Sequence, residues 1–410
     1  MFFQSQPAVD SDPGPLVLDG QGISVQFHTR INFFTIGFAY FANVEVLLSV
    51  WAFFSIMNLE MLITDRIGYT ISLGGGASLP NESNPMITWQ TTGAYLVYVG
   101  WAVWMARAHL KAVFLKALGR HSMNDDREMI SYRKAVIGAL GGSVFIVAWL
   151  HAAGMEILVA VVLLVVLFAS YLGAAKIVAE MGLPYSPATL GAEGFVVATV
   201  GTVNVDPASI TVLAFSQNMS CYGKGMVLPP ITQIMRMGDS LKGRAGWLAV
   251  AVCAAFGVSY VISTVFTLWL GYTDGAYNFS AYPFSYYSRR IFDRVVYRMS
   301  HPWQIDPHRL VFMGAGMLAM AFLTFMRYRF SWWRLNPMGF ALPRLTWQVY
   351  SLFLAWVTKT LILQLGGVQL YRKTQPFFIG LIVGYSLAVG LGSVVDWIWF
   401  PGQGHGLHSW

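Results

Sequence analysis

The stretch GLPYSPATLGAEGF, residues 182–195, follows a long apolar run from Met155 to Ile177. Two prolines and three glycines fall within its fourteen residues, and the chain then turns apolar again. From Ala179 to Ala245 no apolar run reaches the ~20 residues that cross a bilayer before a breaker intervenes. The breakers are Gly182, Pro184, Pro187, Gly191, Gly194, Gly201, Asp206-Pro207, Gly223, Gly225 and Pro229-Pro230, with short apolar pieces at 195–200 and 208–215. In lipid every backbone N–H and C=O needs a partner, so non-helical backbone persists only inside protein or beside a water-filled cavity. The stretch therefore predicts re-entrant half-helices over about 182–240, the device by which secondary transporters present helix ends to a solute. A second break, LNPMGFALPRL at 335–345, lies just before the run that holds Lys359.

The membrane itself is read from composition. Charged residues are 11% of the 410 and hydrophobic residues 56%, where a soluble domain carries roughly 25% charged residues. The fold class is an all-α integral membrane protein with about eight transmembrane helices and broken half-helices. The expected spans are Phe33–Thr64 in two pieces, Trp89–Leu118, Ala135–Ala153, Met155–Ala179, Ala245–Leu270, Leu310–Met326, Trp347–Leu365 and Phe377–Phe400. Residues 1–30 form an exposed N-terminal tail with no signal-peptide pattern, and 31–410 form one polytopic domain. The segment at about 284–300 carries Ile291, Phe292, Val295, Val296 and Met299 on one helical face and reads as an amphipathic helix on the membrane surface.

Net charge is +7, but the basic residues cluster where apolar runs end, which is loop anchoring and not a nucleic-acid surface. Seven lie in 107–134 and four in 327–344; both clusters are assigned to the cytoplasmic face, with the tail outside. The partners implied are the lipid bilayer and a small solute, with no nucleic acid.

Polar groups inside the apolar runs are the candidate solute or ion path: Asn43, Glu45, Ser49, Glu60 and Lys359, with Gly191, Gln217 and Asn218 in the broken stretch. Glu45 and Ser49 share a helix face, and Glu60 lies about 60° away from it. Cys221 and Cys253 have no metal or disulfide spacing. Asp125, Asp126 and Glu128 either balance neighbouring basic residues or could hold Mg²⁺ as in a membrane prenyl-transfer enzyme, His405 and His408 belong to a solvated tail or could bind a metal, and the glycines at 74–76 belong to a flexible loop; in each case the first reading is preferred. No nucleophile elbow or HExxH metal motif is present. No enzyme, cofactor or metal site is expected.

Several segments carry a resemblance: AEMGLPYSPATLGAEGFVVATVGT, LAFSQNMSCYGKGMVLPPITQIMRMGD, SWWRLNPMGFAL, AWVTKTLILQLGGVQLYRKTQPFFIGLIVGYSLAVGL and the closing GQGHG. Together they resemble an uncharacterised prokaryotic membrane family grouped with the oligopeptide transporter (OPT) superfamily, from about residue 27 to the end, most specifically over Ser331–Gly392. The resemblance implies a secondary carrier with inverted repeats, moving peptides or metal chelates with protons, in the prokaryotic cytoplasmic (inner) membrane. Members of that family carry a large membrane portion before the part equivalent to Phe27, and here a short tail stands in its place. Either the product is truncated or a separate chain supplies the absent N-terminal half. The alternative function is a non-transporting structural subunit of a membrane complex, and a membrane enzyme comes third.

Overall fold

The computed structural model describes residues 16–20, 23–27, 31–69, 84–120, 128, 130–182, 190–220, 227–238, 245–276, 286–342 and 348–400. A two-stranded antiparallel hairpin comes first, β1 (Leu16–Gly20) with β2 (Ile23–Phe27), pairing Leu16 with Phe27 and Gly20 with Ile23. The remaining elements are helical. They are α1 (Phe33–Ala39), α2 (Val44–Arg66), α3 (Pro85–Met105), α4 (Arg107–Ala117), α5 (Tyr132–Ala152), α6 (Ile157–Met181) and α7 (Ala192–Val200). There follow α8 (Pro207–Ser216), α9 (Leu228–Gly238), α10 (Ala245–Leu270), α11 (Tyr286–Ser300), α12 (Pro307–Arg329), α13 (Met338–Ala341) and α14 (Val349–Trp399). Among the described residues six helices are long and apolar enough to cross a membrane: α2, α5, α6, α10, α12 and α14.

Three helices begin on the same local device. Asn84-Pro85, Asp206-Pro207 and Asp306-Pro307 open α3, α8 and α12, with the Asx side chain accepting from the N–H of Ile87, Ala208 and His308. The side chain satisfies an orphan donor, and proline at the first helical position lacks an N–H that would have been orphaned anyway. Gly182 ends α6 with φ +68°, the left-handed conformation that glycine adopts without steric cost.

α3 and α12 meet in a close seam. A Cβ on Gly93 would run into the Met313 carbonyl, and one on Gly316 into the Gln90 carbonyl. The two helices run in the same direction: Trp89 sits by Arg309 near their starts, and Trp101 by Tyr328 near their ends. On another side of α3, Tyr95 packs over Gly173 of α6 and donates to the Ser170 carbonyl at 2.6 Å. Glycine at each crossing removes the side chain that would hold the backbones apart.

The 51-residue α14 is not one straight rod. Gly367 has φ +58° and ψ −155°, a non-helical pair within the assignment. The Asn32 amide donates to Ser351 at 2.9 Å, and the Phe34 ring lies 6.2 Å from Tyr385. On a straight helix at 1.5 Å per residue, Ser351 and Tyr385 would be separated by about 50 Å. Both meet α1 within two residues of each other, so α14 folds back at Gly367 into antiparallel arms, 349–366 and 368–399. Such a φ,ψ pair belongs to glycine, and the sequence marks the place as Gly366-Gly367.

The segment before the first arm makes a dip measured against α2. Arg327 reaches Glu45; Asn336 and Gly339 lie against Ser49; the Phe340 ring meets Phe53. The chain thus descends along the first ten residues of α2. The first arm then climbs back along the same stretch, with Phe353 and Trp356 against Trp51 and Lys359 at Ala42.

The expected single span Trp89–Leu118 is divided at Ala106 into α3 and α4. Leu118 stands beyond that division because Arg107, Lys111 and Lys116 make α4 too charged to continue an apolar crossing.

Candidate functional site

The opening stretch is described from Leu190 onward; residues 183–189 lie outside the described residues. Its geometry is set by α6. The Ser170 hydroxyl donates to the Leu190 carbonyl at 2.8 Å, just before α7 begins. The adjacent Tyr171 hydroxyl donates to the Met219 carbonyl at 3.0 Å, just after α8 ends. Ser170 and Tyr171 occupy the middle of α6, about 15–21 Å from either end at 1.5 Å per residue. The far ends of the pair lie near the start of α6: Glu156 N–H donates to Ser209, and Ala208 packs on Gly154. Thr202, past α7, exchanges bonds with Trp303 before α12. So α7 and α8 form a helical hairpin that covers half the length of α6 and stops there.

Four polar side chains gather at these half-helices. Glu193, in the first turn of α7, is buried and holds the fully buried Arg298 of α11 in an ion pair. One turn earlier on α11, Arg294 lies 3.8 Å from the second Glu193 oxygen and donates to Gln217 Oε1 at 2.7 Å. An acid in the first turn also meets the partial positive charge of the helix N-terminus. The helical wheel explains how arginines come to face inward. Arg294, Arg298, Ile291 and Val295 fall within an arc of about 100° at 100° per residue. Ile291 and Val295 are buried against Ala214, and the arginines follow them in. Phe292 and Val296, on the other flank, are exposed.

A second polar cluster surrounds the break between α1 and α2. Asn43 caps α2 by accepting from the Glu45 amide at 2.9 Å. Glu45 is ion-paired to Arg327 at 2.5 Å, and Arg327 also donates to the Trp333 carbonyl. Ser49 donates to the Glu45 carbonyl and accepts from the Asn336 amide at 2.6 Å. Lys359 is buried; its ammonium donates to the Ala42 carbonyl inside the break and lies 4.9 Å from the Tyr371 ring. Tyr40 stacks on Phe378 at 3.6 Å and its hydroxyl meets Thr374. A cation over aromatic faces, bonded to a carbonyl that a helix break leaves free, is an arrangement suited to low-dielectric surroundings.

A family model described as "Family of unknown function (DUF6785)" matches residues 23–404. The chain belongs to that family. No curated protein and no solved structure gives a significant match.

The structure brings Asn43, Glu45, Ser49 and Lys359 together at one break, and sets Gln217 and Gly191 at the ends of the half-helices. Glu60 is elsewhere: it accepts from Gln90 at 2.6 Å, about 22 Å along α2 from Glu45. The Asn218 side chain lies outside the described residues. The candidate path read from the sequence does not include Glu193, Arg294, Arg298 or Arg327. The usable signal was the spacing of Arg294 and Arg298, one turn apart and interleaved with Ile291 and Val295.

Proposed function

We propose that this member of the family is a secondary solute carrier of OPT type, moving peptides or metal chelates with protons across a prokaryotic inner membrane. The observation that supports it is the stop of α7 and α8 on consecutive residues at the middle of α6. Half-helices that end at mid-span beside charged side chains expose backbone groups where a solute can use them. Ionisable residues held among apolar helices are costly and mark pathways more often than scaffolding. In this reading residues 330–342 with the first arm of α14, 349–366, make a second re-entrant segment, and that arm is a half-helix. Full crossings are then α2, α3, α5, α6, α10, α12 and the second arm of α14, seven where the sequence suggests about eight. Glu45 is the proton carrier, and a proton reaches it when the pair with Arg327 opens.

The test is uptake into proteoliposomes under an inward proton gradient, with radiolabelled trialanine and ferric citrate as probes. Saturable uptake that a protonophore abolishes is the expected result. Folded protein that takes up neither probe above protein-free vesicles overturns the carrier reading in favour of a structural subunit.

A further inference from the structure

Among the described residues the cluster at the half-helices holds two guanidiniums and one carboxylate. Glu193 is within ion-pair distance of both Arg298 and Arg294, but its firm bond goes to Arg298. Arg294 stands 3.8 Å from the acid, beyond hydrogen-bond reach, and donates one N–H to the Gln217 amide oxygen. A guanidinium has five N–H donors in a planar fork matched to a carboxylate. The Arg294 side chain keeps 16% exposure while Arg298 keeps none. One arginine is therefore closed into the protein, and the other opens from it with a surplus positive charge. Gln217 fixes the open one from the end of α8, and Glu193 stands two residues past Gly191, the N-cap of α7. A charge that is more than half enclosed is stabilised by an opposite charge held in good geometry.

We propose that Arg294 is the docking point for a carboxylate of the solute, so that the substrate class is an acid or a peptide with a free C-terminus; this rests on the carrier reading. Arg298 with Glu193 is the fixed base on which Arg294 is aimed, and Gln217 sets the plane of its fork. An amidated or esterified solute loses the bidentate contact and leaves the guanidinium facing an uncharged group.

The experiment is ligand-dependent thermal stabilisation of the detergent-purified full chain, with trialanine, trialanine amide, succinate and succinamide. The wild type should bind each carboxylate at least about tenfold more tightly than its amide, since hydrogen bonds to a charged partner are worth roughly that much. R294Q should level the two, and R294K, which keeps the charge without the fork, should retain part of the preference. Equal binding of acid and amide by the wild type overturns the assignment, as does a preference that survives in R294Q. It is also overturned if neither carboxylate stabilises the protein. Uptake of trialanine and its amide at equal rates would leave the carrier standing and remove this site. Carboxylate preference in detergent without uptake in vesicles would do the reverse.

Discussion

Removing the carboxylate of Glu193 tests the polar cluster most directly. Glu193→Gln leaves Arg298 fully buried with an amide at this position, and leaves Arg294 beside it with no anion between them among the described residues. Taking one member from a buried ion pair costs about 3–5 kcal/mol, because the remaining charge is enclosed and uncompensated. Arg298→Gln should cost less, about 1–3 kcal/mol, because Arg294 remains near Glu193 and one cation then balances one anion. Glu193→Leu with Arg298→Met removes both charges and should fall well short of the sum of the single changes. The control is Asp293→Asn, which breaks a pair with Arg289 whose side chains are 84% and 69% exposed, and should change stability by less than ~0.5 kcal/mol. The assay is SDS-titrated unfolding in mixed micelles, followed by tryptophan fluorescence. A cost below about 1 kcal/mol for Glu193→Gln, or a larger one for Arg298→Gln, would refute the reasoning, since either means that α7 and α11 do not enclose the pair.

Cysteines placed at Arg120 and Trp332 should label from the same face, the cytoplasmic one, because α3 and α12 run in the same direction toward these loops; labelling from opposite faces contradicts that. Gly316→Leu drives a side chain into the Gln90 carbonyl and should lower stability by about 1–3 kcal/mol or more in the same SDS titration. A neutral result would mean that the α3–α12 seam is looser than described. Glu45→Gln should leave the protein folded and free trialanine uptake from the pH gradient; coupling that persists would reduce Glu45 to an anchor for Arg327.

Breaks were more legible in the sequence than partners. A helix end is written locally, in Gly182, in Asp206-Pro207 and in Gly366-Gly367, because proline and glycine change the backbone's own energy whatever packs against it. The polar stripe of Glu45 and Ser49 was equally local, since residues four apart share a face. The identity of a charge's partner is not local. Glu193 meets Arg298 from 105 positions away, and Glu45 meets Arg327 from 282. No spacing rule links such pairs. Likewise Gly93 and Gly316 look like any glycines in apolar helices until the two helices are set side by side. The arginines of α11 suit a surface helix by amphipathicity alone, and only the packing of Ile291 and Val295 on Ala214 carries them inward.

The shared direction of α3 and α12 has a consequence in parity. In the proposed reading, where α3 and α12 both cross, a chain leaving α3 at Met105 must start α12 from the opposite side, so it crosses an odd number of times in between. The apolar helices α5, α6 and α10 are long enough to supply three such crossings. In that reading the hairpin of α7 and α8 adds no crossing, which keeps the number odd. A change in the length of that hairpin therefore leaves the direction of α12 as it is. Loss of α5, α6 or α10 alone would turn α12 end for end and pull Gly316 away from Gly93.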